Sequence, residues 1–152
     1  MCTEVHAPAI EPVVVVSNER VAEGVSRIVL DAPRTAGAVE PGQFVHLRIS
    51  RHADFILRRP FSVHRARDGR IEILYQVVGL GTRALEDAVR DDVMDVIGPL
   101  GHGWQVPDGA QRALVVAGGL GAAPMGMLVE RLAGRGIDVT LAQGAPSAGR
   151  LL

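Results

Sequence analysis

Up to about residue 110, apolar and β-branched residues come in short runs, at 13–16, 25–30, 44–49, 61–64, 71–78 and 92–97. Each run is bounded by turn-forming residues, which is the signature of short strands rather than of helices. Ala32-Pro33, Pro41-Gly42, Asp68-Gly69 and Gly98-Pro99 fall between the runs, where proline and glycine punctuate a chain. Arg67-Asp68-Gly69-Arg70 predicts a tight hairpin joining Ser62-Val63-His64 to Ile71-Glu72-Ile73. One helix interrupts the region, at 82–89, with Leu85, Ala88 and Val89 on a common face. The spacing predicts a closed antiparallel barrel.

After Pro107-Asp108-Gly109 the period changes to β-α-β. Ala113 to Ala117 form a continuous apolar run of the kind found in a buried parallel strand, and the run ends in glycines. A helix is expected after Pro124, carrying Met127, Leu128, Leu132 and Ala133 and ended by Gly134 and Gly136. Residues 137–142 then read as a second strand. Two parallel strands and one helix cannot cover both faces of a sheet, and sheets average about 5–6 strands, so the expectation is the first third of a larger domain. The predicted organisation is a flexible tail at 1–11, a barrel at 12–109 and an incomplete α/β segment at 110–152.

Composition narrows the function classes. A chain of 152 residues that is 47% hydrophobic can bury one full core, with residues left over but too few for a second complete domain. The net charge of -1, with arginines scattered among acids, gives no basic footprint, so nucleic acid is not an expected partner. Cys2 is the single cysteine, which excludes an intrachain disulfide and any cysteine-held zinc or iron–sulfur site. No stretch approaches the ~18 apolar residues needed to span a bilayer, and the start lacks a basic segment followed by an apolar run. The expected location is therefore the cytoplasm, with no membrane partner. His46, His52 and His64 are scattered without metal-ligand spacing.

The candidate chemistry lies in four segments. Arg59 offers a permanent planar charge that can grip phosphate through two parallel hydrogen bonds, and Pro60 keeps the neighbouring backbone extended. Taken alone, Arg59 reads more readily as a surface arginine on a strand edge, and Phe61 as a core residue. Phe61 and Ser62 alternate on a strand, so a ring and a hydroxyl point to opposite faces. Gly79-Leu80-Gly81-Thr82 sits where a strand gives way to a helix, whose first turn offers free N–H groups to an anion. Thr82 also fits an ordinary N-cap. Gly98-Pro99-Leu100-Gly101-His102-Gly103 reads as a loop of little bulk, where a backbone or ligand can approach or which is simply surface. Gly118-Gly119-Leu120-Gly121-Ala122-Ala123-Pro124 is a glycine-rich strand-to-helix turn, the place where open α/β sheets bind pyrophosphate. Pro124 stands where the usual fingerprint has its last glycine, and a tight turn without a ligand fits as well.

In that order the four motifs resemble the ferredoxin-reductase superfamily, and within it the electron transfer subunits of dihydroorotate dehydrogenase B, over residues 12 to 148. The doubled Arg58-Arg59, the strand Ile73 to Val78 leading into Gly-x-Gly-Thr, and Gly-Pro-Leu-Gly favour those subunits over generic reductases. The resemblance implies an antiparallel Greek-key FAD-binding barrel followed by a parallel βαβ segment that faces a nicotinamide nucleotide. It implies that Arg59, Pro60, Phe61 and Ser62 hold the isoalloxazine and pyrophosphate of FAD, that Leu74, Tyr75 and Gln76 contact the cofactor, and that Gly81 and Thr82 bind its phosphates. Gly118, Gly119 and Gly121 would face NAD.

The implied role is a relay, an oxidoreductase component rather than a complete enzyme. Electrons from dihydroorotate, oxidised on an FMN-containing catalytic subunit, would pass through a [2Fe-2S] cluster to FAD and then to NAD, in pyrimidine biosynthesis. The family's cluster ligands are cysteines, and those are absent here, so the cluster does not carry over. The chain is expected to be a C-terminally shortened relative. Two alternatives stay open: a stand-alone NAD(P)H-dependent flavin reductase, or a truncated FAD-binding module without turnover whose residues 111 to 152 pack poorly and associate through strand edges.

Overall fold

In a curled sheet the inward face of each strand is mostly apolar, and the central strands here follow that alternation. The computed structural model describes residues 7–49 and 57–152. Among these, seven strands make one antiparallel sheet: β1 (Ala9–Ala22), β2 (Val25–Asp31), β3 (Phe44–Arg48), β4 (Arg59–Ser62), β5 (Arg65–Arg67), β6 (Arg70–Gln76) and β7 (Val93–Leu100). Their order is β4-β3-β7-β1-β2-β6-β5. Ile28 and Leu30 of β2, Val45 and Leu47 of β3, and Ile71, Ile73 and Tyr75 of β6 all point into one fully buried core. The sheet curls until β4 meets β6, where the Phe61 and Tyr75 rings pack edge-on with centroids 6.4 Å apart. The result is a barrel-like sheet, as the alternating pattern predicts.

Three features differ from the sequence reading. β1 runs from Ala9 to Ala22, extending well beyond the apolar run at 13–16. The tail expected at 1–11 therefore ends inside a strand, and its residues 1–6 lie outside the described residues. Glu11, buried in β1, explains a second difference, the short helix α1 (Pro33–Ala38). Its carboxylate accepts bonds from the amides of Arg34 and Thr35, both at 2.8 Å, and from the Thr35 hydroxyl at 2.6 Å. That distant carboxylate replaces the local N-cap a helix start requires. Third, β7 continues through Gly98 and Pro99, both buried, instead of ending at a loop there. A Cβ on Gly98 would stand 2.7 Å from Val45 Cγ1, so the close approach is made by a core side chain.

The turn at 67–70 forms as expected, with Arg67 paired to Arg70 and positive φ at both Asp68 (52°) and Gly69 (75°), but the arm before it is β5 (Arg65–Arg67) and not 62–64. Those two values define the turn that matches strand twist. α2 (Leu80–Glu86) begins two residues before the predicted helix. Its far end is held by Asn18 of β1, whose amide donates to the carbonyls of Leu85 (2.7 Å) and Ala88 (3.1 Å).

A second, parallel sheet contains β8 (Arg112–Gly118) and β9 (Asp138–Gly144), joined by a 3-10 turn at Gly119–Ala122 and by α3 (Met125–Gly134). α3 covers one face, burying Leu132 with Val115 and Ile137. On the other face Leu114 and Val116 are exposed. The unit meets the barrel through Ala123, packed with Val25 and Leu74, and through Glu130, which accepts from Arg65 and Arg67. Among the described residues no helix is long and apolar enough to cross a membrane.

Candidate functional site

Alternation on β4 and β6 creates two different surfaces. Phe61 pairs with the buried Val45, so its ring faces the barrel interior, and Pro60 and Ser62 take the other face. On β6 the interior residues are Ile71, Ile73 and Tyr75, which leaves Leu74 and Gln76 on the face toward the α/β unit. Between that face and the glycine-rich turn lies a cleft of about 360 Å³. Arg59, Pro60, Phe61 and Ser62 line one side, Leu74, Tyr75 and Gln76 the next, Val78 and Thr82 the end, and Leu120 and Ala123 the far wall. Its size falls within the ~300–1,000 Å³ usual for small-molecule clefts.

The polar end of the cleft is built where the guanidinium of Arg59 lies against the first turn of α2. A Cβ placed on Gly81 would stand 2.1 Å from Arg59 Nε and 2.3 Å from its Cζ, so only glycine lets the two segments meet. Arg59 Nη1 also donates to the Leu57 carbonyl at 3.0 Å. Gly79 is the N-cap of α2. The amides of Leu80, Gly81 and Thr82 thus belong to the first helical turn, which has no intrahelical acceptors. A fixed cation and a set of convergent N–H groups are brought to one spot, an arrangement suited to a phosphate or diphosphate.

Thr82 is the third residue of the helix and not its cap. Its hydroxyl oxygen accepts from the amides of Val78 (2.9 Å) and Gly79 (3.1 Å), locking the strand-to-helix turn. The hydroxyl is therefore committed to the turn, and what it leaves for an anion is its backbone N–H. Tyr75 is similarly committed. Its ring sits in the core and its hydroxyl donates to Asn18 Oδ1 at 2.8 Å. Burial holds that phenol above its ordinary pKa of 10.0, partly offset by hydrogen bonds to Asn18 and Ser26. Any contact from Tyr75 to a ligand comes from the edge it shows to the cleft.

In the glycine-rich turn, Gly118, Gly119 and Gly121 shape the backbone, and Gly119 has a positive φ of 51°. They do not line the cleft; Leu120 and Ala123 do. The sequence pattern drew attention to the glycines, yet the side chains of Leu120, between them, and Ala123, after them, form the wall. The sequence reading considered His64 only as a metal ligand and gave it no role at the cleft. Its Nδ1 lies 2.6 Å from the Ala123 carbonyl, tying the connection between β4 and β5 to the turn. Burial pulls its pKa below 6.5, opposed in part by that carbonyl.

FAD fits these residues. The Arg59–Gly81 cradle would take the diphosphate, and the apolar wall of Leu74, Leu120 and Ala123 a flat ring.

No protein-family model matches the chain. Among curated proteins it is 40% identical over 134 residues to the dihydroorotate dehydrogenase B (NAD(+)) electron transfer subunit of Geobacillus thermodenitrificans, covering 85% of this chain and 52% of that protein. To the subunit of the same name from Desulforamulus reducens it is 42% identical over 117 residues, covering 76% and 45%. The chain thus spans about half the length of the curated relatives it matches. Among solved structures it superposes on the NADH-dependent reduced ferredoxin-NADP oxidoreductase of flavin-based electron bifurcation with a TM-score of 0.82 and 28% identity, over 92% of this chain and 50% of that one. With phthalate dioxygenase reductase the TM-score is 0.78 at 19% identity, over 93% and 46%, a likeness of fold. Over this stretch the chain is thus similar to the electron transfer subunits of dihydroorotate dehydrogenase B, and its fold is ferredoxin-reductase-like.

Proposed function

We propose that this chain binds FAD in the cleft between β4, β6 and the glycine-rich turn. It serves as the flavin-carrying part of an electron transfer subunit, relaying electrons from dihydroorotate, oxidised on an FMN-containing partner subunit, to NAD. On this reading residues 12–109 are the flavin domain and 110–152 the start of the nicotinamide-binding one. The observation that carries it is the packing of Arg59 onto the glycine at the start of α2. That contact brings together the two anion-binding elements that sequence separates by more than a strand.

Bound FAD supplies hydride and single-electron chemistry that no side chain here provides. The chain's own residues place it. Arg59 and the amides of Leu80 to Thr82 hold the diphosphate, and Pro60, Ser62, Leu74 and Gln76 set the ring against the outer face of the barrel. Leu120 and Ala123 exclude water from the opposite side. Gly118, Gly119 and Gly121 leave the end of β8 free of side-chain bulk for the nicotinamide nucleotide. The chain's single cysteine cannot supply the ligands of a [2Fe-2S] cluster, and no step is assigned to one.

The test compares two ligands that share a ring system. Arg59→Ala should weaken FAD binding about tenfold or more, the loss of a charge-assisted bond, with little change for riboflavin, which has no phosphate. Equal loss of both would show that Arg59 does not grip phosphate, and a wild-type chain that ignores both would end the flavin reading.

A further inference from the structure

We propose that His64 is a positioning residue that fixes the far wall of the flavin cleft, by donating its Nδ1–H to the carbonyl of Ala123. The proposal rests on the flavin reading for its consequence but on separate residues for its geometry. A backbone carbonyl can only accept, so the 2.6 Å contact places the proton on Nδ1 and leaves Nε2 as the acceptor nitrogen of a neutral ring. Burial is the largest influence on this imidazole and favours its uncharged form.

Two further contacts show that the α/β unit is seated on His64. A Cβ at Gly126, in the first turn of α3, would lie 2.9 Å from His64 Cε1 and 3.0 Å from the His64 carbonyl oxygen. Backbone is part of that contact, so a change of rotamer cannot relieve it. The helix is packed directly on residue 64. Ala123 in turn packs against Val25 and Leu74 with Leu120 beside it, and the Ala123 amide donates to the Leu120 carbonyl at 2.9 Å. Pulling on one carbonyl therefore holds both side chains of the cleft wall.

The other polar links nearby are weaker in kind. Arg65 and Arg67 reach Glu130 through side chains that are each more than a third exposed, where ion pairs contribute little. The charged groups that face His64 are Arg65 beside it, Glu72 of β6 and Glu130 of α3, with Arg27 of β2 lining the same neighbouring cleft. Their effects on the imidazole are smaller than that of burial.

Three variants of the full chain separate a directed hydrogen bond from mere bulk. Asparagine carries an N–H close to the position of Nδ1, glutamine carries one close to Nε2, and alanine carries neither. FAD affinity is read by flavin fluorescence, and the turn by amide hydrogen exchange over 119–126. His64→Ala and His64→Gln should weaken FAD about five- to tenfold and speed exchange across the turn, and His64→Asn should restore both. Equal behaviour of the asparagine and glutamine variants, or wild-type values in the alanine variant, would overturn the proposal. If the wild-type chain binds no FAD, the flavin reading fails by itself, and the exchange pattern alone still decides the role of His64.

Discussion

The barrel and the β8-α3-β9 unit use the same kinds of residue but hold themselves together differently. Every barrel strand from β1 to β7 faces one shared interior, and 17 buried residues pack there. In the α/β unit the fully packed centre is three residues, Val115, Leu132 and Ile137, and Leu114 and Val116 on the opposite sheet face are open. The barrel is thus a platform in its own right, and the smaller unit depends on what it touches. Since the cleft has one wall from each, its barrel side is fixed by hydrophobic burial and its far side by a few contacts at Ala123 and Glu130.

The sharpest way to break this contrast is to remove equivalent core volume from each region. Ile28→Ala, in the barrel interior, should cost about 2–5 kcal/mol in urea unfolding. Leu132→Ala should cost less, and hydrogen exchange should report the loss in 112–144 only. Equal, global effects would mean that the two regions fold as one body.

Next in size is Gly81→Ala, expected to weaken FAD about tenfold while leaving the urea midpoint nearly unchanged. The added methyl meets the end of a flexible arginine side chain, so the fold gives way there cheaply and the anion site is what is lost. Tyr75→Phe should destabilise by about 1 kcal/mol, because Asn18 Oδ1 loses its donor inside the barrel.

The pH response sharpens the junction between the regions. His64 has a folded-state pKa below 6.5, so its neutral form is the one the structure favours. Its contribution is intact above pH 6.5 and is lost as pH falls through the depressed value. Stability of the wild type should therefore drop as acid is added in that range, and His64→Asn should remove this component of the slope. The smallest effect is expected at Val116→Lys, within about 0.5 kcal/mol, since that side chain is already 68% exposed.

Much of the barrel was legible because its strands alternate. The missed parts have non-local causes. α1 has no N-cap of its own and depends on Glu11, more than twenty positions earlier in the chain. The second half of β1 carries Asn18, Glu19 and Arg20, whose pattern says surface although β2 pairs with all three. β7 was cut short at Gly98-Pro99 because those residues usually end strands, whereas here the glycine makes room for Val45.

At the site, 59–62 and 74–76 were legible from strand alternation and from their resemblance to known motifs. The inward turn of Tyr75 follows from the same alternation once Ile71 and Ile73 are seen to be core. Leu120 and Ala123 could have been found by asking which side chains the glycine-rich turn leaves standing. His64 could not, since only the folded chain shows its carbonyl partner.

The two-sided character of β6 limits how this protein can change. Ile71, Ile73 and Tyr75 fill the interior while Leu74 and Gln76 face the cleft, so loss of a single residue between Gly69 and Gln76 would put side chains on the wrong face. Point changes on the cleft side can retune what is held there one contact at a time. A change in strand length cannot be absorbed that way, and evolution along this segment is confined to substitution.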